Sequence, residues 1–123
     1  MSKANTTENE TLDAILRAQD PSWRSNASRY IALHTADPGE GGSATTSEAA
    51  YGSYARVTVT AATGFSAGSG GSSANTGLLQ FPECTSGSET ITHVSIVTTS
   101  SGAGQILYSG VCISAVFVKK KLS

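Results

Sequence analysis

The stretch YIALHTADPGE, Tyr30–Glu40, decides the fold. Up to Thr35 its apolar and polar residues alternate, as they do along a half-buried strand, and Asp37-Pro38-Gly39 then breaks the pattern. Asp can close a turn through its own side chain, Pro fixes φ and Gly accepts positive φ, so this triplet reads as a turn. The polar residues His34, Thr35, Asp37 and Glu40 raise the alternative of a chemical site, and the rest of the chain has to decide between the two.

Period-two patterning continues downstream. In YARVTVT, residues 54–60, Ala55, Val57 and Val59 share one face. TITHVSIVTT (90–99) and VCISAVFV (111–118) follow the same rule, with the shorter runs LLQF (78–81) and QILYSG (105–110) between. Thr, Val, Ile and Tyr dominate these segments, as expected on a pleated surface. Six or more short strands separated by Gly/Ser turns predict a mainly β fold, an antiparallel, jelly-roll-like β-sandwich.

Upstream the period changes. Thr7-Glu8-Asn9-Glu10 fits a capping box, and Leu12, Ile15 and Leu16 follow at helical spacing before Pro21. This predicts one short N-terminal α-helix over residues 8–19. Residues 1–27 then form an arm and residues 28–123 the sandwich domain. A helix of this length is marginal in water, so its apolar stripe is expected to dock on the sandwich or on another subunit.

Composition narrows the functional classes. The chain has 123 residues, enough for one modest core, and no internal repeat. Lys plus Arg is 8 against Asp plus Glu 9, a net charge of −1 with no basic stripe to follow a phosphate backbone, so nucleic acid is not an expected partner. No apolar run is long enough for a membrane span, and MSKANTTENE lacks the apolar stretch of a signal peptide, so synthesis in the cytoplasm is expected. Only 14% of residues are charged, which suits a protein packed against neighbours. Cys84 and Cys112 lack zinc-site spacing and read as packed or free thiols.

The candidate chemistry is thin. His34, Asp37 and His93 could be set beside one of the serines, but the serines lie in low-complexity turns and no Gly-x-Ser-x-Gly elbow is present. The two histidines are far apart in sequence with no close ligand pair, and GSGGSS at residues 68–73 is not followed by a helix that could present its N-terminus to an anion. Both histidines therefore read as structural, and no catalytic, metal or cofactor-binding residue is assigned.

YIALHTADPGE, followed by YGSYARVTV, FPECTSGSETITHVSI and SGAGQILYSG, resembles a family of small tailed-bacteriophage structural proteins over roughly residues 28–115. The resemblance implies a non-enzymatic virion component made in the bacterial host. Its expected partners are further copies of itself, a trimer among the candidate symmetries, and other virion proteins such as major capsid or tail subunits. A capsid decoration or cement role is the leading expectation, with a tail fibre, baseplate or adaptor subunit second and glycan binding an extension of the second. The chain departs from the family at KKKLS, where relatives add a hairpin, and a missing strand would leave a sheet edge for pairing or for the lysines to blunt. Subunit contacts are expected at the helix stripe Leu12, Ile15 and Leu16, at Trp23, and at Tyr51, Tyr54 and Phe65. The last three flank long loops (39–50 and 64–77) that are expected to be mobile until neighbours order them.

Overall fold

The computed structural model describes residues 2–120, apart from the side chains of Ile113 and Ala115. One helix, α1 (Asn5–Arg17), precedes four strands: β1 (Ser28–His34), β2 (Val57–Thr60), β3 (Ser88–Val97) and β4 (Ile106–Lys119). All neighbours pair antiparallel, in the order β2-β1-β3-β4, so the expected mainly antiparallel β fold with one short helix is observed. The strands form a single sheet, and the helix and the long connections pack against it. No helix among the described residues is long and apolar enough to cross a membrane.

Among the described residues there are four strands rather than six or more. QILYSG and VCISAVFV run together because Gly110 keeps its pairing with Val94 and nothing between the two segments forms a turn. Two steps along β3, from Ile91 to His93, are matched by five along β4, from Val116 to Val111, so the surplus is absorbed as a bulge. LLQF is not a strand: Leu78 is exposed, and the segment instead delivers Phe81, which stacks on Tyr54 at 6.4 Å. β2 begins only at Val57, because Tyr54 and Arg56 are held by side-chain bonds elsewhere and Ala55 is exposed.

β1 is one of the two inner strands, and its side away from β3 is served in two pieces. Ser28–Ile31 pairs with β2. Beyond it, the N–H of Thr35 bonds to Ser47 O, and Leu33 O accepts from Ala49 N–H, while Leu33 N–H donates to the Tyr54 hydroxyl. The alternation read from the sequence is real, but the second neighbour of the strand is a loop and a phenol.

Two small cores result. One holds Ala4, Ala32, Ala44, Val97 and Ile106 with Tyr30 beside it; the other holds Ala49, Tyr51, Cys84 and Ile91, flanked by Leu33, Tyr54, Cys112 and Val118. Three of the five buried residues in the first are alanines, which lets backbone approach backbone but removes little apolar area from water. Both cysteines are free thiols, Cys84 buried and Cys112 half-buried.

The helix differs from expectation in a way that matters for function. It starts at Asn5, its N-cap Ala4 supplies no side-chain bond, and the capping box does not form. Asn5 N–H donates to Glu40 O instead. Thr7 is 2% exposed and donates to Ile106 O at 2.6 Å while accepting from Gln105 Nε2 at 3.0 Å, and Glu10 accepts from Gln105 Nε2 at 2.7 Å and from Ser22 N–H. Polar residues that could have capped the helix therefore stitch it to β4. Leaving a buried acceptor unpaired costs about 1–3 kcal/mol. Thr7→Val, nearly isosteric, should therefore lower unfolding free energy in urea by about that amount, with Thr7→Ser closer to wild type; equal midpoints for all three would show that the stitch carries no stability.

Candidate functional site

The polar residues around the Asp37-Pro38-Gly39 turn do not converge on one another. Asp37 Oδ1 accepts from Gly39 N–H at 2.9 Å, and Gly39 has φ +73°, so this is the turn its sequence specifies. Thr35 donates its hydroxyl to Ser47 O, and Glu40 contributes its backbone carbonyl to the start of α1. His34 goes inward and is fully buried.

The surroundings of His34 fix its protonation. Nδ1 lies 2.9 Å from Thr46 O, a group that can only accept, so Nδ1 carries the proton. Nε2 then accepts from the Ser95 hydroxyl at 2.7 Å, and Ser95 is itself buried on β3. A serine activated by a histidine needs an open path to a substrate and a carboxylate on the far ring nitrogen; here there is a carbonyl and no exposure. His93, opposite His34 across the β1–β3 pair, shares Nδ1 with the Thr92 hydroxyl at 2.8 Å. Both histidines are placed as the sequence suggests, as strand residues.

Beside this pair sits the ionic centre of the molecule. Arg56 Nε and Nη2 donate to the two oxygens of Glu48 at 2.7 and 2.9 Å, with side-chain exposures of 3% and 14%. Arg56 also donates to Thr99 O at 2.8 Å and Gly102 O at 2.7 Å, and Tyr54 donates its hydroxyl to Glu48 at 2.7 Å. Burial alone would raise the Glu48 carboxyl, but the bonds from Arg56 and Tyr54 outweigh it and hold the carboxyl below its ordinary range. Burial, together with the bond to Glu48, pushes the Tyr54 phenol far up. Sequence reasoning did not single out Glu48 or Arg56; a lone Arg immediately before the Val/Thr run of 57–60 was the available signal.

The remaining surface offers little concave chemistry. One open depression of about 450 Å³ lies where Ala4, Asn5 and Glu40 meet Gly104 and Gln105, and another runs past Ser2, Asp37, His93 and Val111. Among the described residues no group of three His, Cys, Asp or Glu could hold a metal ion.

The residues expected to make subunit contacts fall into two sets. Tyr51 is buried and donates to Pro82 O at 2.8 Å; it meets Tyr54 edge-on at 5.4 Å, so both rings are held within the chain. Trp23 is half-buried with Arg29 5.9 Å from its ring, and its Nε1 is buried without a partner. Phe65 is half-buried at the base of a small hairpin, bridged to Asn75. That hairpin turns at Gly70 and Gly71, with φ +58° and +78°, between Ser69 and Ser72, which exchange backbone bonds. Two positive φ values are what a two-residue hairpin turn of this hand requires, so Gly70-Gly71 was a legible turn signal inside a loop read only as flexible. The helix stripe, by contrast, stands clear: Leu12, Ile15 and Leu16 are 54%, 72% and 75% exposed. Within the chain the stripe therefore does not pack on the sheet, which the helix meets through its cap residue Ala4 and through Thr7. Val111, Val116 and Phe117 on β4 are exposed as well. The chain leaves 7383 Å² accessible, where a compact monomer of its 12.5 kDa exposes roughly 6,200 Å².

Burial depresses the His34 pKa below its ordinary 6.5, the bond to Thr46 O only partly offsetting it. Unfolded chain therefore takes up a proton near pH 6.5 that folded chain refuses, and stability present above that pH is lost as pH falls toward the folded pKa. Glu48 adds a second loss below its ordinary 4.5. Urea midpoints should be level above neutrality and fall as pH drops below 6.5, ahead of the further loss below 4.5. His34→Gln should be less stable throughout but flat until that further loss; an unchanged slope would assign the titration to another group.

Comparison with known proteins adds one family. No curated protein matches the chain. A family model described as podophage GP4 fiber I protein gp80 matches residues 2–119, which takes in the helix, all four strands and both long loops. The chain thus belongs to the podophage GP4 fiber I protein gp80 family.

Proposed function

We propose that this chain is a non-enzymatic structural subunit of a podophage particle, built into a tail fibre rather than spread over the capsid as a cement protein. The observation that carries the reading is the family match across residues 2–119, whose description is of a fibre. It favours the tail over the decoration role that the sequence alone placed first. The chemistry of the chain agrees with a structural role, since its most reactive residues are occupied internally: His34 by Thr46 and Ser95, Glu48 by Arg56 and Tyr54. Its surface fits repeated lateral packing, with few charges and several large apolar side chains in water.

A fibre subunit meets copies of itself and an adjoining tail protein, and is made in the host before assembly. No cofactor or metal enters this account.

The location and number of copies in the intact particle test it. Quantitative mass spectrometry of purified particles, with a labelled antibody imaged on them, should give a few to a few dozen copies at the tail vertex. Hundreds of copies distributed over the shell would return the chain to the decoration role.

A further inference from the structure

We infer that β4 pairs edge to edge and antiparallel with β4 of a second copy of this chain, across a two-fold axis. β4 is an outer strand in the order β2-β1-β3-β4, and its free side is taken only at the start, where Ser2 and Ser109 exchange backbone bonds at 2.9 Å. Among the described residues, no backbone group from Gly110 to Lys119 bonds to backbone outside β3. Such an edge presents donors and acceptors at strand spacing, and another strand is what satisfies them.

The side chains of the edge point to the same occupant. Residues directly opposed on paired strands share a face. Val111 and Val116 oppose His93 and Ile91, which are two apart on β3, so they lie on one face; Phe117 opposes Thr90 and lies on the other. Val111 is 73%, Val116 52% and Phe117 61% exposed. A helix or loop laid on one face would leave the other in water, whereas a strand set beside the edge brings side chains to both.

Composition and register choose a second β4 as that strand. Residues 110–118, GVCISAVFV, hold no charged side chain and no proline, the residues that keep an edge from pairing with its own copies. Lys119 and Lys120 follow and are exposed, so parallel pairing would set the lysines of two copies side by side, while antiparallel pairing sends them to opposite ends. The surplus residues of the bulge, between Val111 and Val116, sit in the middle of the free edge. A second β4 carries the same surplus at the same place, so the two can match residue for residue on both sides of it. Gly110 then opposes Lys119 and Val111 opposes Val118, each pair matched in face, and the neighbour stops where Ser2 holds Ser109. Such a contact is isologous and closes at a dimer. It deepens the fibre-subunit reading by naming a self-contact, and purified protein tests it, so the location in the particle and this contact can fail separately.

Sedimentation velocity of the full chain over a concentration series tests it, with circular dichroism checking that each variant keeps the fold. Wild type should reach a dimer and stop there. Val111→Lys and Phe117→Lys, one on each face of the edge, should each weaken the dimer about tenfold or more. Leu12→Asp combined with Leu16→Asp, on the helix, should leave it unchanged. Hydrogen exchange reads the same contact without any substitution: amides between Gly110 and Lys119 should slow as wild type is concentrated. A wild type that stays monomeric, or exchange over that segment that ignores concentration, would overturn the inference. So would loss of the dimer in the helix variant, in favour of a contact through α1, or a response to only one of the two edge variants, in favour of a contact on one face of the sheet.

Discussion

Arg56 holds a guanidinium almost out of water and gives every side of it a partner: both oxygens of Glu48, the backbone carbonyls of Thr99 and Gly102, and the Thr99 hydroxyl. A planar fork of five donors can reach that many acceptors at once, which a lysine ammonium cannot. The consequences run outward. Glu48, fixed by Arg56, accepts from Tyr54, whose hydroxyl in turn takes the N–H of Leu33 and ends the pairing of β1. Residues 47–49 are thereby kept against the upper half of β1, and the turn between β3 and β4 is tied to the approach to β2. With two small cores, one of them largely alanine, apolar burial alone gives these connections little to hold them, and the ion pair supplies the missing constraint.

The strand content was legible because alternation is a local property. Tyr30, Ala32 and His34 share a face, and so do Ser95 and Val97, whatever lies around them. The turn at Asp37-Pro38-Gly39 was equally local, needing only an Asp side chain and a residue that tolerates positive φ. What the sequence hid is non-local. Thr7 and Glu10 have the spacing of a capping box, and only the arrival of Ile106, Gln105 and Ser22 redirects them. Tyr54 and Arg56 read as outward strand residues until Glu48 is brought beside them, and Tyr51 and Tyr54 read as free aromatics until Pro82 and Phe81 pack there.

The same contrast governs function. His34, Ser95 and Glu48 have their hydrogen-bonding capacity filled from within, while Leu12, Ile15, Leu16, Val111, Val116 and Phe117 stand exposed. That distribution supports the structural role proposed for the chain. The stripe on α1 shows why the helix persists although it is short and lacks a side-chain cap: its inner face is bonded to β4, and its outer face is available to a neighbour.

The claim that one buried ion pair organises the fold is tested most directly by a double-mutant cycle in urea with Glu48→Gln, Arg56→Met and the pair together. Removing one partner strands the other charge in a dry site, so each single variant should lose about 3–5 kcal/mol. The double variant should lose less than the sum of the two, with a coupling energy of about 2 kcal/mol or more. Additive losses agreeing within about 0.5 kcal/mol would contradict the account, since independent residues behave that way.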